Sequence, residues 1–269
     1  MSQRIAERFA QAAQDGRKML VPFITAGDPH PAWTVSIMHA MVAAGADLLE
    51  LGVPFSDPTA DGPVIQLASE RAIDKQVDLK SVLKMVEVFR QTDTHTPVVL
   101  MGYMNPIERF GRTRFPAAAV AAGVDGVLLV DCPPEERGDL GEAMTEAGLD
   151  GICLVAPTTT RARVQDIARA ASGFIYYVSV KGITGTGQLN AAALEQPVQQ
   201  IREFSDLPVA IGFGIKDADM AAAVSEYADA VVIGSALVEV LSAADDEAQA
   251  CAIAAAFVAP VRKSLDNTA

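Results

Sequence analysis

The stretch Ala46–Gln66 reads ADLLELGVPFSDPTADGPVIQ. An apolar run from Asp47 to Leu51 carries one internal acid, Glu50, and stops at Gly52. Turn formers follow (Pro54, Ser56, Asp57, Pro58, Asp61, Gly62, Pro63), and a helical pattern begins at Val64. A short buried strand that ends in a carboxylate and runs into a stiff loop with a second carboxylate is how an α/β enzyme builds acid–base chemistry.

Outward from this stretch the same unit repeats. Apolar strand patterns fall at residues 19–25, 47–51, 97–101, 126–130, 151–155, 174–178, 208–211 and 230–233. Each is short and nearly continuous in apolar residues, as strands buried on both faces must be. Helical patterns separate them, at 31–44, 65–73, 79–91, 107–122, 134–147, 161–171, 190–204 and 217–226. Two more, at 237–241 and 247–265, close the chain. Eight strands alternating with helices predict a parallel sheet closed into a (β/α)8 TIM barrel, with an open doubly wound sheet as the alternative. Ile5, Phe9 and Ala12 at helical spacing predict an extra N-terminal helix outside or under the barrel. No linker or composition shift divides residues 1–269, so one domain is expected.

The net charge of −13 argues against a nucleic-acid or anionic-membrane surface. It is compatible with a phosphorylated substrate, because backbone amides bind phosphate without side-chain charge. The longest apolar run, Ala250–Val261, is too short for a membrane span, and residues 1–16 lack an apolar signal core. A soluble, cytoplasmic protein is expected. Cys132, Cys153 and Cys251 are isolated in apolar contexts and read as reduced core residues. His30, His39 and His95 are dispersed, without metal-ligand spacing, and no nucleophile–base pair stands out. His30 reads as a turn or cap residue. Gly212-Phe213-Gly214 lacks the third glycine and the context of a dinucleotide fingerprint.

Barrel active sites lie at the C-terminal ends of the strands. Glu50 ends the second strand on the same face as Leu48. It is either a reacting acid or a structural acid paired with a cation, and no Lys or Arg stands near the end of any other strand except Lys181 in a loop. Asp61 is either a second reacting group or the N-cap of the helix that starts near Pro63. Asp57 reads as a turn former before Pro58. Tyr176 faces the site or simply packs, and Phe23, Leu128 and Val130 read as core. Glycines cluster where three successive strands end, in Lys181–Gly187, Gly212–Gly214 and Gly234-Ser235. Together they predict a phosphate anchor, with tight strand-to-helix turns as the alternative. The residues alone thus give a barrel enzyme doing acid–base chemistry on a small phosphorylated substrate.

The seventeen residues Glu50-Leu-Gly-Val-Pro-Phe-Ser-Asp-Pro-Thr-Ala-Asp61-Gly-Pro-Val-Ile-Gln66 closely resemble the signature of tryptophan synthase α subunits. The resemblance extends over nearly the whole chain. It implies retro-aldol cleavage of indole-3-glycerol phosphate to indole and glyceraldehyde 3-phosphate. By the same resemblance, Glu50 transfers protons and Asp61 holds the indole N–H. Phe23, Leu128, Val130 and Tyr176 line the indole pocket, while Thr184, Gly185, Gly214, Gly234 and Ser235 hold the rest of the substrate, chiefly its phosphate. It implies no cofactor or metal on this chain, and a β subunit that carries pyridoxal phosphate and receives the indole in an α2β2 assembly. The long segments Gly52–Pro63 and Ser179–Leu189 are then the loops facing that partner, with Pro54–Thr59 exposed and the glycines of the second serving as hinges. Three rivals remain at this level: another phosphosugar enzyme, including a Schiff-base aldolase using Lys181; a binding or regulatory barrel; and a stand-alone lyase.

Overall fold

The computed structural model describes residues 2–179, 191–212 and 214–268. Among these, eight strands form a closed barrel: β1 (Met19–Thr25), β2 (Leu49–Gly52), β3 (Val98–Gly102), β4 (Gly126–Leu129), β5 (Asp150–Val155), β6 (Ile175–Val178), β7 (Val209–Gly212) and β8 (Ala230–Ile233). All pairings are parallel and in chain order, and β8 returns to pair with β1. Closure rules out the open-sheet alternative. The helices are α1 (Gln3–Gln14), which precedes the barrel, and the outer layer of α2 (Thr34–Ala43), α3 (Pro63–Asp74), α4 (Leu79–Phe89), α5 (Met104–Phe110), α6 (Phe115–Ala122), α7 (Asp139–Ala147), α8 (Arg161–Ala170), α9 (Glu195–Arg202), α10 (Ala218–Ser225), α11 (Ser235–Leu241) and α12 (Glu247–Asp266).

Alternation of side chains along each strand sorts the core into two bodies. Outward residues such as Leu20, Leu49, Leu100, Val127, Cys153 and Ile211 pack under the helices. Inward residues such as Met19, Val21, Leu48, Val99, Leu128, Ile152, Tyr176, Ala210 and Val232 fill the barrel. α1 belongs to this inner body. It buries Ile5, Phe9 and Ala12, and the Phe9 ring lies 5.7 Å from that of Phe174. The helix expected outside or under the barrel therefore plugs its N-terminal end.

Beside this plug, acids that precede even-numbered strands hold the start of the strand before. Asp47 accepts from the Leu20 N–H at 2.9 Å, Asp125 from Val98 N–H at 2.8 Å and Asp229 from Val209 N–H at 2.8 Å. Arginines neutralise the two deepest of these acids. Arg8, Arg17 and Arg262 donate to Asp47 at 2.7, 2.9 and 2.9 Å. Arg4 and Arg90 donate to Asp125 at 2.9 and 2.8 Å. The Ser2 hydroxyl also donates to Asp125, and the Ser2 N–H donates to Asp150.

Several expected helices divide. Residues 107–122 form α5 and α6, broken at Gly111, whose φ of 112° only glycine adopts freely. Residues 134–147 begin with a 3-10 turn at Pro134–Glu136 before α7, and 31–44 with one at Pro31–Trp33 before α2. Ala191–Leu194 likewise forms a 3-10 turn before α9. His30 does act as a cap, its Nδ1 accepting from Ala32 N–H at 3.2 Å. Cys132 and Cys153 are buried free thiols, but Cys251 is half-buried, so the reading of all three as core is corrected at that position.

Candidate active site

Glu50 sits on the inner face of β2, in register with Phe23 of β1 and Val99 of β3. It is 2% exposed and has no hydrogen bond or ion pair among the described residues. The structural-acid alternative therefore lacks its cation. Burial first, and the nearby Asp61 charge second, push its carboxyl up to about 8.

Asp61 is half-buried just before α3. The residue that caps α3 is Gly62, and no side chain caps that helix, so the capping alternative for Asp61 falls. Its carboxylate turns instead to Tyr103, whose hydroxyl donates to Asp61 Oδ2 at 3.1 Å and accepts from Ala60 N–H at 3.0 Å. Phe55 lies against the Tyr103 ring at 5.1 Å, and Gln66 donates to the Asp61 carbonyl at 2.7 Å. Burial raises the Asp61 pKa and the Tyr103 bond lowers it. Tyr103 was missed in the sequence, although it directly follows β3 and so stands at a strand's C-terminal end. Pro54, expected to be exposed, is buried, while Ser56, Asp57 and Thr59 form the exposed tip of the loop.

Barrel closure brings the β8 end next to Glu50. Phe23 is wedged between two glycines: a Cβ on Gly52 would lie 2.6 Å from Phe23 Cζ, and one on Gly234 would lie 3.3 Å from Phe23 Cβ. Phe23 also lines a small cavity with Thr25, Asp61, Ile65, Met101 and Tyr103. Tyr176 is buried in the barrel interior, its hydroxyl filling the space a side chain at Gly212 would need. Burial and the Glu50 charge hold its pKa well above the ordinary tyrosine range. Leu128 is fully buried in the same interior. Val130 lies one residue past β4 and is half-buried, not within the strand as expected. Gly214 has a φ of 81°, again a glycine conformation, just after β7. Gly234 precedes α11, and Ser235 is its exposed first residue. Lys181, Thr184 and Gly185 lie outside the described residues. Among the described residues, no group of three or more His, Cys, Asp or Glu could hold a metal ion.

A closed barrel whose C-terminal end holds a buried carboxyl of raised pKa, with no cation beside it among the described residues and a second carboxyl nearby, has the make-up of a barrel enzyme. Comparison with known proteins narrows the class. The family model described as tryptophan synthase alpha chain matches residues 9–266. A tryptophan synthase alpha chain of Burkholderia cenocepacia is 56% identical over 264 residues, covering 98% of this chain and 97% of the relative. One of Ralstonia nicotianae is 56% identical over 263 residues, covering 98% and 99%. The solved alpha subunit of Legionella pneumophila superposes with a TM-score of 0.91 at 45% identity, covering 99% of both chains. A chain of Mycobacterium tuberculosis tryptophan synthase superposes with a TM-score of 0.86 at 31% identity, covering 97% of this chain and 99% of that one. The chain belongs to the tryptophan synthase alpha chain family. It is a carbon–carbon lyase of tryptophan biosynthesis that cleaves indole-3-glycerol phosphate to indole and glyceraldehyde 3-phosphate.

Proposed function

We propose that Glu50 moves the protons of this cleavage and that Asp61 stabilises its cationic intermediate. The observation that carries this is the buried Glu50 carboxyl, pushed up to about 8 with no cation beside it among the described residues. At neutral pH Glu50 carries the proton that indole C3 must receive. Protonation at C3 leaves positive charge on the ring nitrogen, and the Asp61 carboxylate accepts that N–H and stabilises the charge. The Glu50 carboxylate so formed then takes the proton of the glycerol hydroxyl next to the ring. The C–C bond breaks, its electron pair returns to the indole, and the alcohol carbon leaves as the aldehyde of glyceraldehyde 3-phosphate. Glu50 ends protonated, as it began.

In the same proposal Phe23, Leu128, Val130 and Tyr176 border the indole. Gly214, Gly234 and Ser235 hold the phosphate, with Thr184 and Gly185 assigned on the family resemblance. Bare backbone at a glycine and the free amides that open α11 suit an anion. The chain itself needs no cofactor. A β subunit carrying pyridoxal phosphate receives the indole, in an α2β2 assembly in the cytoplasm. The exposed tip Ser56–Thr59 supports this reading, because it leads straight to Asp61, so docking there acts on a catalytic group. No helix among the described residues is long and apolar enough to cross a membrane.

The test follows indole release from indole-3-glycerol phosphate while a β subunit is titrated into the purified chain. Weak turnover alone and a rise that saturates at equal stoichiometry is the expected result. Full turnover without any response to β would overturn the partnership and leave a stand-alone lyase.

A further inference from the structure

Arg137 lies in the turn between the Pro134–Glu136 segment and α7, at the start of that helix. It is 8% exposed, a cation taken almost wholly out of water. Its Nη2 donates to the Ile152 carbonyl at 3.2 Å and to Cys153 Sγ at 3.2 Å. Nε has no partner, and no carboxylate stands within ion-pair distance among the described residues. This differs from the buried Arg262 and Arg90, each of which reaches an aspartate at 2.9 or 2.8 Å. An isolated buried charge is costly, so a compensating anion is the expected neighbour.

The surroundings leave room for one. α7 packs closely on α6 and α8 on α9, but α7 and α8 barely touch. A slot opens between them over the start of β5, lined by Arg137, Gly141, Met144, Gly151 and Ser172, with the exposed Glu142 on its rim as the one carboxylate among its lining residues. Glycines shape it around the guanidinium: a side chain at Gly151 would collide with Arg137 Nη1, and a Cβ on Gly141 would lie 3.3 Å from Arg137 Cβ. Ser172 accepts from the Gly151 N–H at 2.9 Å, which leaves its own hydroxyl proton to donate. An unmatched guanidinium and a hydroxyl donor thus flank Gly151 in one slot.

We propose that the slot between α7 and α8 is a second binding site, for a small oxyanion of the carboxylate or phosphate type, with Arg137 as its cation. The guanidinium fork suits two oxygens of one such group, and Ser172 supplies a further donor.

The test is amide NMR of the labelled full-length chain, titrated with inorganic phosphate and separately with acetate. Saturable shifts are expected at Gly151 and Ser172, in addition to any at Gly234 and Ser235. A response to phosphate alone identifies a phosphoryl ligand, and a response to acetate alone a carboxylate. In Arg137→Met the Gly151 and Ser172 response should weaken at least tenfold, while that at Gly234 persists. Arg137→Lys, which keeps the charge and loses the fork, should show a reduced response and serves if the first variant does not fold. Silence at Gly151 and Ser172 with both probes, or responses unchanged in the folded variants, would overturn the site.

Discussion

The two ends of the barrel bury acids in opposite ways. At the N-terminal end Asp47 is met by three arginines and a backbone N–H, and Asp125 by two arginines, a hydroxyl and a backbone N–H. At the C-terminal end, among the described residues, Glu50 meets no cation, and Asp61 meets a neutral phenol and the repulsion of its neighbour. The first arrangement spends charge on holding the chain together. The second leaves a carboxyl poised near neutrality, which is what proton transfer requires. Burial alone therefore does not mark a reacting acid; burial without compensation is what sets Glu50 apart from Asp47 and Asp125.

The largest contrast is expected from Glu50→Gln, which keeps the shape and removes the proton. The cleavage rate should fall by roughly 10²–10⁴-fold. Stability should move the other way. Between the ordinary carboxylate range and pH 8 the folded carboxyl keeps its proton while the unfolded one has lost it, so wild-type stability declines as pH rises through that window. Each pH unit is worth about 1.4 kcal/mol at most. Glu50→Gln should thus be more stable than wild type near pH 8 and equal to it near pH 4.5. Urea unfolding at both pH values checks this, and a variant less stable at pH 8 would sink the assignment of an uncompensated acid.

Asp47→Asn should show the mirror image. It takes from the buried Arg262 its one fully buried anion, leaving it the half-exposed Asp266 at 2.7 Å, and weakens the hold on Arg8 and Arg17, which are partly solvated. A loss of about 3 kcal/mol is expected in urea unfolding, with the specific activity of the folded fraction unchanged. A loss of turnover in fully folded protein would show that the two ends are not separable.

The smallest effect sharpens the comparison inside the site. Tyr103→Phe removes the one bond that lowers the Asp61 pKa. The acid limb of the pH–rate profile should move to higher pH, and the rate at neutral pH should fall a few-fold, at most about tenfold. A profile that keeps its acid limb would mean that Tyr103 serves only to pack against Phe55.

The barrel and the place of Glu50 inside it were legible because both follow from local pattern: eight short apolar runs, one interrupted by an acid near its end. The extent of helices was less so. Residues 107–122 hold two breaks in the helical pattern: Gly111, a lone glycine that reads as tolerable until its φ is seen, and Pro116, which falls in the first turn of α6, where proline starts a helix rather than interrupting one. For Asp61 the local grammar favoured a cap, since Asp just ahead of Pro is a good helix start. The decision came from Tyr103, 42 residues away in sequence, and no short-range rule reaches that far. The compensation of Asp47 was hidden for the same reason, because Arg262 lies 215 residues from it.

The plug formed by α1 sets an order on how the molecule is made. Ser2 and Arg4 find their partners at Asp125 and Asp150, and Ser2 lies 148 residues ahead of Asp150. At roughly 5–20 residues per second, a ribosome takes on the order of ten seconds or more to deliver that partner. Through that interval Ile5 and Phe9 have no barrel floor to enter. A segment made before the barrel is thus among the last to lock, and its docking reports that the ring of strands above it has closed.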